Sequence, residues 1–233
     1  HRVEVGPQTF TRQDHEKVVL SPTPMVVIPP RHFCIIQDPY IRVDENTKEP
    51  LTDNFGQVKL RHGDREIRFA GDWSAPFPLL PGETMIGSVT KLEIVADGVA
   101  LRLVARRDFT DGEVRRVAGD EWLFKGPGTY IPRVEVDKVE VVRAKLVAQD
   151  TALKIQARKA FVRADGVSRK AGEEWLHREV GSYLPDVDER IVSVVNPNYL
   201  TATKALQLRA TDTFTDVHGV VRKAGEEWLV TDQ

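Results

Sequence analysis

The residues of this chain best suited to chemistry are three adjacent carboxylate pairs: Asp120-Glu121, Glu173-Glu174 and Glu226-Glu227. Two carboxylates working as general acid and base must flank one substrate at a defined separation. Neighbours on a strand point to opposite faces, so an adjacent pair is badly placed for that task. The pairs also recur. Each sits in a Gly-acid-acid-Trp-Leu phrase, and Trp122, Trp175 and Trp228 are spaced 53 and again 53 residues apart. A residue copied into every unit is a scaffold residue, so the pairs are expected to form salt bridges or to be solvated at repeat seams.

Other candidates fare no better. Asp108-Phe109-Thr110-Asp111-Gly112-Glu113 has the flavour of a calcium loop, but an EF-hand needs its glycine at position six and a glutamate at twelve. Here the glycine comes early, and a hairpin turn is the better reading. The histidines (His1, His15, His32, His62, His177, His218) show no i, i+4 pair and no zinc-like spacing with Cys34. His218 replaces the Asp of a hairpin turn and is expected to be exposed. Cys34, between aromatic and aliphatic neighbours, reads as a buried structural thiol. Phosphate-binding glycine loops and the nucleophile-elbow motif are missing from the sequence. Neither a catalytic residue nor a cofactor or metal site is expected.

The elements around the phrase explain it better. An alternating strand precedes each copy: Ala100–Ala105, Ala152–Ala157 and Ala205–Ala210, with the second, fourth and sixth residues always apolar. That period marks a half-buried antiparallel strand. An aromatic (Phe109, Phe161, Phe214) and a turn (Asp111-Gly112, Asp165-Gly166, His218-Gly219) follow, as in a hairpin. After the phrase comes Gly128-Thr129-Tyr130-Ile131-Pro132 or Gly181-Ser182-Tyr183-Leu184-Pro185, then a valine-rich strand. The phrase glycines are expected in a backbone conformation other residues resist, and the tryptophans are expected in the core. The repeat core is therefore assigned to Gly119, Trp122, Leu123, Tyr130, Gly172, Trp175, Leu176, Tyr183, Gly225, Trp228 and Leu229.

The amino-terminal third is more divergent. Gly6-Pro7-Gln8-Thr9-Phe10 echoes Gly126-Pro127-Gly128-Thr129-Tyr130. Val58-Lys59-Leu60-Arg61 reads as the alternating strand, and Pro81-Gly82-Glu83 as the phrase without its tryptophan. Ser21-Pro22-Thr23-Pro24 and Pro29-Pro30 mark edges or turns, and residues 44–52 a polar surface loop. The expected fold is all-β: tandem small antiparallel sheets stacked into an elongated rod. The expected boundaries are 1–32, 33–93, 94–146, 147–199 and a truncated 200–233, in a piece of a longer protein.

Composition narrows the function. A net charge of −2 with both signs interspersed gives no basic stripe for nucleic acid. The apolar runs are too short to span a bilayer. A single cysteine rules out an internal disulfide and favours a reducing compartment. A unit of this size buries little surface alone and gains stability from its neighbours.

The repeated motifs, with Ile28-Pro29-Pro30-Arg31-His32-Phe33-Cys34, Gly56-Gln57-Val58-Lys59-Leu60-Arg61-His62 and Pro76-Phe77-Pro78-Leu79, resemble the amino-terminal repeats of the major vault protein family. The resemblance covers essentially the whole chain. It implies a non-enzymatic shell subunit of a cytoplasmic ribonucleoprotein particle with a nuclear fraction. Many copies would stand side by side around a hollow interior. It also implies partners within that particle: a vault poly(ADP-ribose) polymerase docking on residues 94–199, a telomerase-associated protein and vault RNA. A calcium-dependent contact with a lipid phosphatase through an EF-hand-like segment belongs to the family picture, but Asp108–Glu113 falls short of that loop. Lys154, Gln156, Gln207 and Arg209, facing outward from the alternating strands, are expected to include seam or partner contacts. The alternative reading is a tandem β-repeat signalling scaffold that forms no shell; a hydrolase is disfavoured because no unique polar constellation stands apart from the repeat.

Overall fold

The computed structural model describes residues 3–44, 47–163, 165–216 and 218–231. The expectations attached to His1 and to the chain end at Gln233, and part of the 44–52 loop (Glu45, Asn46), lie outside the described residues. Those described form strands and turns, with no helix among them. Two compact units emerge, one of residues 1–145 with 183–187 and one of residues 146–182 with 188–233.

In the first unit, β1 (His32–Gln37) lies between β2 (Arg65–Phe69) and β3 (Thr84–Lys91). The next repeat follows with β4 (Glu93–Val95), β5 (Val99–Ala105), β6 (Phe109–Asp111) and β7 (Val114–Arg116). It continues with β8 (Glu121–Lys125), β9 (Gly128–Tyr130) and β10 (Val136–Arg143). Here β5 is the central strand between β8 and β10, β6 and β7 form a hairpin, and β4 pairs with β9. All these pairings are antiparallel.

The same plan returns in β11 (Lys145–Val147), β12 (Ala152–Ala157), β13 (Phe161–Val162), β14 (Ser168–Arg169), β15 (Glu174–His177), β16 (Gly181–Tyr183) and β17 (Glu189–Val195). Now β12 is central, between β15 and β17, and β13–β14 is the hairpin. A further copy begins with β18 (Ala205–Arg209), the hairpin β19 (Phe214–Thr215) and β20 (Val221–Arg222), and β21 (Glu227–Thr231).

The apolar alternation of the central strands becomes the core. In the first unit Val95, Leu101 and Leu103 are buried together, and a second cluster gathers Ile28, Cys34, Ile36, Tyr40, Trp73 and Phe77. In the second unit Val147, Leu153 and Ile155 are buried. The terminal alanine of each central strand has its own task. Ala105, Ala157 and Ala210 each donate to the carbonyl of Asp120, Glu173 or Glu226 and accept from the N–H of Gly119, Gly172 or Gly225. That reciprocal pair fixes the phrase at the strand end.

Two readings of the divergent repeat are corrected. Its central strand is His32–Gln37, whose Cys34 and Ile36 point inward, while residues 58–61 contribute only isolated bridges at Val58 and Leu60. Val58–Arg61 alternates while Phe33-Cys34-Ile35-Ile36 is a continuous apolar run, so a search for period two selects the wrong segment. The other correction concerns Pro81-Gly82-Glu83. β3, β10 and β17 each pair with their central strand through a bulge. The turn at Gly82 precedes β3 and so precedes the counterpart of the valine-rich strand. The counterpart of the phrase is Gly63-Asp64, where the Asp38 backbone N–H donates to the Asp64 carbonyl. Nor is the tryptophan simply lost, because Trp73 occupies the core of this repeat.

Candidate functional site

The phrase residues build the same cluster in successive repeats. Gly119, Gly172 and Gly225 adopt φ of +91°, +79° and +85°, a left-handed conformation that side chains resist. The turn they close lets the first carboxylate of each pair cap it: Asp120, Glu173 and Glu226 accept from the N–H of Val117, Lys170 and Lys223. Over each tryptophan ring lies an arginine, with Arg116, Arg169 and Arg222 at 4.5, 4.6 and 4.6 Å from the rings of Trp122, Trp175 and Trp228. Arg169 and Arg222 also bond Glu173 and Glu226 at 2.6 and 2.9 Å. Phe109 and Phe214 tilt against Trp122 and Trp228 with ring centroids 6.2 and 6.3 Å apart. The ring is thus held between the hairpin and the sheet.

This arrangement refines the core assignment: Trp122 and Tyr130 pack against the buried cluster of Val95, Leu101 and Leu103. Trp122, Trp175 and Trp228 are half-buried, and Leu176 and Leu229 are exposed. Tryptophan and leucine are adjacent on a strand and face opposite sides, so the two cannot fill one core. Leu123, Tyr130 and Tyr183 are half-buried. The arginines are the residues missed in the sequence. Arg116, Arg169 and Arg222 recur at the same 53-residue interval as the tryptophans, a signal that was available.

The second carboxylate of each pair serves the other face. Glu121 meets Arg102 at 3.7 Å, Glu174 meets Lys154 at 2.5 Å, and Glu227 meets Arg209 at 3.2 Å. Gln156 approaches Glu174 and accepts from Arg190, while Gln207 donates to Glu227. Lys154, Gln156, Gln207 and Arg209 therefore each have at least one partner within their own repeats. The paired carboxylates are partnered by turn N–H groups and cations and do not converge on a common cleft.

The same partners make the hairpin carboxyls more acidic. The Lys170 N–H and then Arg169 hold the Glu173 carboxyl below the usual carboxylate range. The Lys223 N–H and Arg222 do the same for Glu226. Asp216 is lowered by the Val220 N–H and by Arg222. Burial pushes the Cys34 thiol up and the Tyr130 phenol up to about 12. Neither is poised as a nucleophile or proton carrier at neutral pH.

Asp108 and Asp111 are similarly committed. Asp108 accepts from the Ala118 N–H at 2.9 Å, Asp111 lies 3.5 Å from Arg133, and β6–β7 forms the hairpin. Among the described residues, no three acidic, histidine or cysteine side chains gather as a metal site.

One feature belongs to no single repeat. Residues 183–187, which include the Tyr-x-Pro element of the fourth repeat, pack within the first unit. There the buried Arg102 donates to the Val187 carbonyl at 2.6 Å and to Glu140 at 2.8 Å. Lys125 lies 3.9 Å from Asp186, and Pro185 is buried.

The fold and these clusters define a class: a tandem all-β repeat protein whose recurring polar groups maintain the repeat. Comparison with known proteins supplies the family. Profiles described as major vault protein repeat domains match residues 25–89 in one form and 93–133, 145–186 and 199–233 in another. Major vault protein alpha of Dictyostelium discoideum is 57% identical over 230 residues, covering 98% of this chain and 27% of the relative. Major vault proteins of Strongylocentrotus purpuratus and Bos taurus are 52% and 50% identical over 98% and 100% of the chain, which covers 26% of each relative. The chain belongs to the major vault protein family. It spans roughly a quarter of the length of these relatives.

Proposed function

We propose that this chain is a wall segment of a vault-type particle, a non-enzymatic shell subunit whose copies assemble side by side around a hollow interior. The observation that carries the reading is the state of the bulged strands. In their sheets β10 and β17 each pair with one central strand, and no strand among the described residues covers their outer edge. They nonetheless expose Val139, Val141, Val192 and Val194. Open strand edges with exposed apolar side chains invite pairing with another chain unless something covers them. A lateral copy of the same repeat array offers a surface of matching period, and heterologous contacts of that kind close into rings when the rotation permits. Charges satisfied within each repeat keep the remaining seam polar without requiring a partner's counter-charge.

Within such a particle the chain would act in the cytoplasm, with a nuclear fraction. It would work alongside a poly(ADP-ribose) polymerase docked on residues 94–199, a telomerase-associated protein and vault RNA held elsewhere in the assembly. Sedimentation of the full-length protein tests the reading. Wild type should run as a very large assembly, and Val139→Lys with Val192→Lys, both at exposed positions, should shift mass towards free chains. A full-length wild type that stays monomeric at micromolar concentration would refute it.

A further inference from the structure

One cross-strand pair occurs in three copies and differs only in what covers it. Arg102 faces Leu123, Lys154 faces Leu176, and Gln207 faces Leu229. In the first copy the Arg102 side chain is 2% exposed, beneath residues 183–187, and Leu123 is half-buried. In the second the Lys154 side chain is 39% exposed and Leu176 is 44% exposed. In the third Gln207 is exposed and Leu229 is 67% exposed. An apolar side chain facing solvent at a position whose twin is covered marks an unfilled contact.

The surroundings repeat as well. Lys125, which faces Asp186, stands 53 residues before Arg178. Arg178 lines a groove of about 520 Å³ in the second unit together with Leu176, Val180 and Val195. The face therefore keeps the apolar contact, a cation to donate to a backbone carbonyl, and a second cation for an acidic side chain.

We infer that the face formed by Lys154, Leu176 and Arg178 is a dock for an extended segment of the Gly-x-Tyr-x-Pro-Asp-Val type. The occupant is the successor's copy of the element that residues 183–187 provide to the repeat of Arg102. Lys154 would donate to the carbonyl at the valine position, Arg178 would pair with the aspartate, and Leu176 would lie under the segment. Each repeat is then completed by its successor, which makes the array directional: a repeat whose successor lacks this element keeps an open face. The inference concerns contacts along one chain and stands whether or not copies associate laterally.

The test extends this chain directly after Gln233 with the sequence of residues 181–188, Gly-Ser-Tyr-Leu-Pro-Asp-Val-Asp. That is the place the 53-residue interval assigns to it. A tethered segment is present at high effective concentration, so weak intrinsic affinity cannot mask docking. The readout is the alkylation rate of a thiol introduced as Leu176→Cys, with Cys34 protected by burial. The extended chain should react at least about tenfold more slowly than the unextended one, since a tenfold protection needs only about 1.4 kcal/mol of docking. A scrambled extension should give no protection, and Lys154→Glu with Arg178→Glu should restore the fast rate. In parallel, Arg102→Met should raise amide exchange selectively at residues 183–187, with Arg102→Lys restoring part of the protection. Equal alkylation in extended and unextended chains, or equal protection by the scrambled extension, would overturn the inference; so would unchanged exchange at 183–187 in Arg102→Met.

Discussion

Removing the carboxylate of Glu83 should destabilise the divergent repeat more than any other isosteric change in it. The side chains of Arg68 and Glu83 are both fully buried and meet at 2.5 Å. Arg68 lies 5.3, 4.3 and 5.1 Å from the rings of Tyr40, Trp73 and Phe77, a cage that offers ring faces but few acceptors. Glu83 also accepts from the N–H groups of Tyr40 and Leu80. Glu83→Gln keeps an acceptor for those N–H groups but leaves a buried guanidinium with only the more distant Glu66, 3.5 Å away. Breaking a buried pair from one side costs about 3–5 kcal/mol. The presence of Glu66 favours the lower end, and about 3 kcal/mol corresponds to roughly a hundredfold rise in opening. Hydrogen exchange at the β1 amides reads this locally, without assuming that the two units unfold together. Arg68→Met should cost a similar amount. The double variant should cost clearly less than the sum, because neither charge is then stranded. Single variants within about fivefold of wild type, or strictly additive ones, would refute the view that this pair organises the repeat.

Acid should loosen the hairpins of the second unit. Glu173, Asp216 and Glu226 have folded values below their unfolded ones, so their contribution is complete above about pH 5 and lost as pH falls through the lowered values. Exchange at β13–β14 and β19–β20 should therefore rise on acidification below that point, and Glu226→Gln should flatten that dependence in β19–β20. Gly172→Ala should cost about 1–2 kcal/mol in thermal or denaturant unfolding, since φ of +79° is strained for a side chain although nothing crowds the new Cβ. Leu153→Ala, at a fully buried site, should cost about 2–5 kcal/mol, while Leu176→Ala should cost little in this chain.

Much of this architecture is legible in the sequence because the repeat supplies internal comparison. The alternation Ala-Leu-x-Leu-x-Ala, with Ile155 in place of the second leucine in the later copy, became β5 and β12, and Asp-Gly marked the β6–β7 and β13–β14 hairpins. The tryptophans are less buried than a core residue for a reason of scale. Trp122 packs against the core cluster of a small sheet and also stacks with a recurring arginine, so the ring stays half-buried. The divergent repeat was misread because Val58–Arg61 shows the alternation of the other repeats, whereas its central strand is the continuous apolar run Phe33–Ile36, identified by its long-range pairing with β2 and β3. The lending of residues 183–187 to the repeat of Arg102 was not legible at all. The contact joins residues 85 apart in sequence, and its acceptor is a backbone carbonyl, which leaves no trace in residue type.

Electron cryo-microscopy of the full-length protein is the most direct measurement of whether this chain builds a shell wall. Hollow particles whose walls resolve into side-by-side copies, each carrying the three-stranded sheets built from residues 99–143 and 152–195, are the predicted result. Dispersed single chains, or solid aggregates without a lumen under conditions where these sheets are intact, would contradict it.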